Sequence, residues 1–230
     1  MRQVKYIFSI VLVALITLVS CERKTPATQQ WVLEDSLSLP GINPIGIGVF
    51  EDQFWLSDGD HNRLIAVNSL GQVQDSILGL DRPMHIDANA QGLWVPQYGS
   101  DTIAQFKLPS KSPLPLILKD SLDAPASIAV FGEERAIADF YNHRILYFNG
   151  ADWISIGTEG KDAGQFYYPT DVQITDQNIW VADAYNNRIQ LFDKRGTFVR
   201  MIGVDQKMNA ATGLYVSETQ VFVTDFENHR

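Results

Sequence analysis

The chain has 230 residues, 45% hydrophobic and 11% aromatic, enough to bury a sizeable core in one large domain or two small ones. A single cysteine excludes a disulfide framework. A formal charge of −9 argues against nucleic acid, because the surface repels phosphate and no cluster of Lys and Arg offsets it.

Arg2 and Lys5 stand ahead of an uncharged apolar run, Tyr6 to Val19, that stops at Ser20-Cys21. Such a run is short for a bilayer span and suits the centre of an export signal. "LVSC", Leu18 to Cys21, resembles the lipobox of bacterial lipoproteins, in which the cysteine carries the lipid. The plainer alternatives are an ordinary signal peptide with a chance cysteine, or an uncleaved anchor. Residues 1–21 are therefore expected to be a lipoprotein signal, with Cys21 tethering the protein to a membrane of the bacterial cell envelope, periplasmic or surface face open. Loss of Arg2 and Lys5 leaves a mature charge of about −11. The polar segment "ERKTPATQQ", 22–30, reads as a flexible tether.

From residue 31 onward the sequence repeats. "WLSDGDHNRLIAV" from Trp55, "WVPQYGSDTIAQF" from Trp94, "AIADFYNHRILYF" from Ala136, "WVADAYNNRIQLF" from Trp180 and "FVTDFENHR" from Phe222 share one pattern. Its Asp position falls at Asp58, Gln97, Asp139, Asp183 and Asp225, at intervals of 39, 42, 44 and 42 residues. Pro44, Pro83, Pro125, Pro169 and Ala211 keep the same period. Each unit carries four short alternating or apolar runs separated by turn residues, so the sequence predicts an all-β propeller of four-stranded blades. Paired-helix solenoids share such periods, but the β-branched and aromatic enrichment and the lack of helical periodicity argue against them. The blades are expected at about 40–82, 83–124, 125–168 and 169–208, with 209–230 an incomplete fifth.

The polar turns hold Asp, Asn and Arg densely enough to suggest chemistry. The Asp ends the second strand of its blade, where it can accept N–H groups of the turn, and Asn tolerates a left-handed turn position. The Arg five residues on begins the third strand, within reach of a charge-assisted hydrogen bond. Asp58 and Arg63, Asp139 and Arg144, Asp183 and Arg188, and Asp225 and Arg230 are thus expected to be structural pairs. In the second unit Gln97 and Thr102 replace both partners together.

These residues resemble NHL repeats, most closely over Gly157 to Gly203. Gly157, Gly160, Gly164, Phe166 and Pro169 carry the specific part of the resemblance. That glycine spacing lacks the Lys-Ser/Thr and the helix a phosphate cradle needs, so it reads as an inter-blade turn. The resemblance implies six blades in the intact protein. It leads to the expectation that "WVLEDSLSL", Trp31 to Leu39, is an outer strand closing the ring onto blades beyond this sequence.

A propeller fold does not fix function. Channel-facing candidates come from the second and fourth positions after the Pro landmark: Gly46, His85, Ser127, Asp171 and Gly213, then Gly48, Asp87, Ala129, Gln173 and Tyr215. A resemblance to the propeller lyase of peptide amidation would imply zinc held by histidines of different blades. Only His85 lies on an inner run, while His61, His143 and His229 sit in polar turns. A calcium-dependent lactonase or phosphotriesterase would need several channel oxygens, for which Asp87 and Asp171 are the candidates. "DGDHN", Asp58 to Asn62, imitates a calcium loop but lacks its later Gly and Glu. The sequence supplies no cofactor ligand set, and no metal or cofactor is expected. It favours a non-catalytic binding or scaffolding module for a protein, peptide or glycan, with a channel metalloenzyme as the alternative. Phe140, Tyr141, Tyr185 and Phe226 are candidate contacts that could equally pack between blades.

Overall fold

Alternation places every second side chain on one face of a strand, and here both faces of the central strands are needed. In "NIWVAD" (178–183), Ile179 and Val181 pack toward the preceding sheet, whereas Trp180 and Ala182 pack toward the following one. This explains why the run is apolar throughout: a blade stacked between two others has no solvent face.

The computed structural model describes residues 32, 33 and 36–230, of which Leu37–Arg230 form one compact unit. The first sheet holds β1 (Gly46–Phe50), β2 (Gln53–Asp58), β3 (Arg63–Val67) and β4 (Val73–Leu78). The second holds β5 (Asp87–Asn89), β6 (Gly92–Gln97), β7 (Thr102–Lys107) and β8 (Ser112–Pro115). The third holds β9 (Pro125–Phe131), β10 (Glu134–Asp139), β11 (Arg144–Phe148) and β12 (Trp153–Ile156). The fourth holds β13 (Pro169–Ile174), β14 (Asn178–Asp183), β15 (Arg188–Asp193) and β16 (Phe198–Ile202). β17 (Ala211–Val216) and β18 (Val221–Asp225) pair as a two-stranded fifth sheet. Neighbouring strands run antiparallel in chain order, and β1, β5, β9, β13 and β17 adjoin one another in that order as the inner strands. The architecture is a β-propeller of four complete blades and a partial fifth.

Apolar layers join the blades. Trp55 and Leu64 of the first blade meet Leu93, Val95 and Phe106 of the second. Trp94 and Ile103 meet Ile128, Ile137 and Leu146, and Tyr147 and Ile156 meet Phe166, Val172 and Phe192. Trp55, Tyr147, Phe166 and Phe192 are almost wholly buried, and for Phe166 and Phe192 the removal of apolar surface from water contributes about 1.5–3 kcal/mol each. Phe166 reaches its place because Gly157 leaves room. Gly157 has φ +82°, and a Cβ there would lie 2.3 Å from the Phe166 ring.

The polar turns bind the chain that enters each inner strand. Asp139 Oδ1 accepts the N–H of Asp123 at 2.8 Å, and its Oδ2 accepts from Asn142 Nδ2 at 2.9 Å and Arg144 Nε at 2.7 Å. Asp183 does the same with Tyr167 N–H, Asn186 and Arg188, at 2.8, 3.0 and 2.7 Å, and adds Gln190 Nε2 at 3.0 Å. Asp225 accepts from Asn209 N–H at 2.6 Å and from Asn228 and Arg230, both at 2.8 Å. Asp58 accepts from Asn43 N–H at 3.4 Å and from His61 Nδ1 and Arg63 Nε, both at 2.8 Å. The N–H groups come from the segment before the inner strand, not from the turn itself as the sequence suggests. Each Arg also donates back to that segment, as Arg144 does to Ser121 O at 2.9 Å and Arg188 to Asp162 O at 2.8 Å. The second blade keeps a neutral version: Gln97 Oε1 accepts Asp81 N–H at 3.1 Å and Gln97 Nε2 donates to Thr102 at 3.2 Å.

A second set of bonds crosses from blade to blade. Asn62, Asp101, His143 and Asn187 end their turns with φ between +51° and +58°, a region that costs most residues stability and that Asn and Asp tolerate best. Their side chains accept the N–H groups of Arg82, Ala124, Tyr168 and Ala210, at 2.9, 2.7, 3.1 and 2.8 Å. Those four residues precede the Pro83, Pro125, Pro169 and Ala211 landmarks and are themselves left-handed, with φ from +51° to +60°.

The described residues 32, 33 and 36–39 form no strand, so the expected outer strand over Trp31–Leu39 does not appear at those positions. Leu39 packs with Ile42 beside Leu56, Ile65 and Val67. The signal segment, Cys21 and the tether at 22–30 lie outside the described residues.

Replacing Asp183 by Ala leaves Arg188 buried without its counter-charge and is expected to cost about 3–5 kcal/mol. Gln97→Ala, which removes neutral and exposed hydrogen bonds, is expected to cost no more than about 1.5 kcal/mol. Urea unfolding of the two variants measures the difference, and similar losses would contradict the assigned roles.

Candidate functional site

Two places can do chemistry or bind a ligand: the channel between the inner strands, and the end of the propeller that carries the polar turns.

The channel is a cavity of about 680 Å³ lined by His85, Asp87, Asp171, Gln173 and residues of β1, β17 and β18. His85, Asp87 and Asp171 all reach it. His85 sits where the inner strands of the second and third blades touch in a parallel bridge to Ser127, its N–H donating to Ala126 O at 3.0 Å. Its ring extends toward the fifth blade, where a Cβ on Gly213 would lie 3.5 Å from Cε1.

Both carboxylates are already engaged. Asp87 Oδ2 accepts the N–H of Val130 on the next inner strand and Oδ1 that of Ala88, both at 2.7 Å. Asp171 Oδ1 accepts Ser127 Oγ–H from the previous blade at 2.6 Å and its own strand's Val172 N–H at 2.9 Å. Its Oδ2 accepts Leu214 N–H from the next blade at 2.8 Å. Gln173 Oε1 repeats the device with Val216 N–H at 2.5 Å. Between the first two blades no such side chain exists, and Gly46 and Gly48 instead let the strands approach. A Cβ on Gly46 would lie 2.8 Å from His85 Cα. The inner-strand acids therefore lace adjacent strands that are too far apart for a regular ladder. Among the described residues no group of three His, Cys, Asp or Glu is placed to hold a metal ion.

Electrostatics separate these carboxylates. Burial pushes Asp87 above its ordinary value, against the hydrogen bonds from Val130 and Ala88, and the nearby Asp171 charge adds to the rise. Burial likewise raises Asp183, against its bonds from Tyr167, Asn186 and Arg188. At Asp58 burial is outweighed by the bonds from His61, Arg63 and Asn43, and the carboxyl is lowered. The bond from Asn228 leads the lowering of Asp225.

The turn end carries a chain of rings. Tyr98, Phe140, Tyr141, Tyr168, Tyr167 and Tyr185 run from the second blade to the fourth, with neighbouring centroids such as Phe140–Tyr168 and Tyr168–Tyr185 4.9 Å apart. His143 stacks on Tyr167 with an interplanar angle of 4° while its Nδ1 holds the Tyr168 N–H. Phe140 is half-buried in this cluster, whereas Tyr141 and Tyr185 are exposed, 48% and 61%. Of the two roles open for these aromatics in the sequence, Phe140 takes inter-blade packing. Phe226 is also exposed, on the fifth blade's turn. His61, His143 and His229 lie in the polar turns, apart from the channel. Sequence reasoning missed the inter-blade acceptors; their signal was a side chain able to accept a hydrogen bond, Asn, Asp or His, directly before the Arg or Thr position in every unit.

The NHL repeat family matches residues 166–192, which cover β13, β14 and most of β15. No curated protein sequence matches the chain. Among solved structures, a streptogramin B lyase is similar with a TM-score of 0.65 at 16% identity, over 82% of this chain and 64% of the lyase. A nidogen/laminin complex gives a TM-score of 0.62 at 15% identity, over 76% of this chain and 68% of that one. The catalytically inactive H270A virginiamycin B lyase from Staphylococcus aureus, with quinupristin, gives 0.64 at 12% identity, over 88% and 70%. The chain thus spans just under two thirds of the first of these. At such identities the likeness carries the fold alone. The chain is a β-propeller whose fourth blade carries an NHL repeat over residues 166–192.

The raised carboxyl of Asp87 has a pH consequence. With a folded value above its ordinary 3.8, the group favours the folded state most at low pH and loses that contribution as pH rises through the folded value. Asp87→Asn keeps an acceptor for Val130 and removes the titration. The stability of the variant relative to the parent is expected to increase from pH 4 to pH 7, measured by urea unfolding at each pH. A difference that is flat or falls with pH would contradict the assignment.

Proposed function

We propose that the protein is an exported propeller, tethered to the bacterial cell envelope through a lipid on Cys21, that binds a protein, peptide or glycan without catalysing a reaction. The observation that carries this reading is the contrast between its two candidate places. Channel carboxylates spend their oxygens on neighbouring inner strands, while the turn end exposes aromatic rings that the core does not require. Large amphipathic rings with few rotatable bonds suit a contact surface, since little conformational entropy is lost on binding.

The channel metalloenzyme is the second reading, favoured by the open cavity and by His85, whose ring reaches across it. The two are separated by affinity capture from an envelope fraction together with metal analysis. A partner or glycan held by the parent, lost from the Tyr141→Ala/Tyr185→Ala double variant and kept by His85→Ala, is the expected result. Near-stoichiometric zinc or calcium, lost on His85→Ala, would overturn the binding reading in favour of the channel. For the tether, Cys21→Ser is expected to move the protein from the membrane to the soluble fraction; unchanged membrane retention would refute attachment at that residue.

A further inference from the structure

We infer that a groove across the polar turns of the first three blades takes an arginine-bearing peptide segment. This inference rests on the binding reading above and names the place and the chemistry of what is bound. The groove, of about 670 Å³, is lined by Tyr98 and Tyr141, whose ring centroids are 6.0 Å apart, and by Asp60, Asp81, Asp101 and Asp123. All four acids are exposed. Asp60 meets only the Asn43 amide, at 3.3 Å, and Asp101 accepts the Ala124 N–H at 2.7 Å. The carboxylates of Asp81 and Asp123 accept no hydrogen bond and form no ion pair among the described residues.

The aromatic wall decides which cation suits. Arg82, the one basic side chain lining the groove, places its guanidinium 5.0 Å from the Tyr98 centroid instead of on any of these carboxylates. The protein therefore already holds a planar cation against this wall. A second guanidinium in the groove has the exposed Tyr141 ring for a cation–π contact and the uncommitted carboxylates of Asp81 and Asp123 in the same lining for charge-assisted hydrogen bonds. An ammonium offers the charge without the planar fork, and a neutral sugar can donate hydroxyls to the carboxylates but brings no charge to neutralise them. Charge complementarity thus favours arginine over a glycan at this groove, although both use aromatic walls.

The test is fluorescence anisotropy of a labelled peptide with three arginines at alternate positions, against versions with lysine or glutamate at those positions and a labelled neutral oligosaccharide. The arginine peptide is expected to bind more tightly than the lysine one and the glutamate version not at all. Asp81→Asn/Asp123→Asn, exposed changes checked to leave the melting temperature unaltered, is expected to weaken binding about tenfold, as is Tyr141→Ala. Higher salt is expected to weaken it further. Equal binding of the glutamate peptide, indifference to the Asp substitutions, or binding of the oligosaccharide alone would overturn the inference. If the arginine peptide fails while a partner is still lost from the Tyr141→Ala/Tyr185→Ala variant, only this inference falls. If that variant still holds the partner, the binding reading falls as well.

Discussion

The fold depends on how the backbone N–H groups at the start of each inner strand are held. Those strands are spaced around a channel, too far apart to pair along their length, so the chain entering each one must be fixed by side chains. The Asp at the end of the second strand takes an N–H one or two residues before the landmark of its own blade. The left-handed residue of the same turn takes the N–H just before the landmark of the next blade. One short turn therefore sets the geometry of its own blade and the placement of its neighbour. The second bond also offsets the cost of a left-handed residue before each landmark.

This use of polar groups constrains function. A dense cluster of Asp, Asn, His and Arg suggests catalysis, yet the first, third, fourth and fifth repeats use it to hold the incoming chain, and the second does so with neutral Gln97. Inner-strand acids continue that logic inside the channel, with Asp87, Asp171 and Gln173 each reaching the next blade. What remains uncommitted lies on the turn end: exposed tyrosines, and carboxylates such as Asp81 and Asp123 that secure nothing in the fold. A binding surface is most readily built from groups whose replacement leaves the scaffold intact.

Much of the architecture was legible in the sequence. Two landmarks on a shared period specify the repeat, and alternating runs between turn residues specify four strands per blade. The Asp and Arg positions fall opposite each other in the hairpin register, as at Asp139 and Arg144. The longer-range half of the pattern was not legible. Whether Asp183 accepts from its own turn or from Tyr167, sixteen residues earlier, depends on how the incoming chain folds back, which local spacing does not encode. Likewise Asp87 and Asp171 read as free channel oxygens until the adjacent inner strand is in place. The groove was invisible because Asp81, Tyr98, Asp123 and Tyr141 come from different turns and meet only when three blades stack.

The most direct measurement of the blade-to-blade bond is amide hydrogen exchange on Asn187→Gly, which keeps the left-handed backbone at position 187 accessible and removes only the acceptor for Ala210. The account predicts faster exchange at Ala210 and along β17, with β9 and β10 unchanged. Exchange at Ala210 and β17 equal to that of the parent would show that the turn side chains do not hold the blades together.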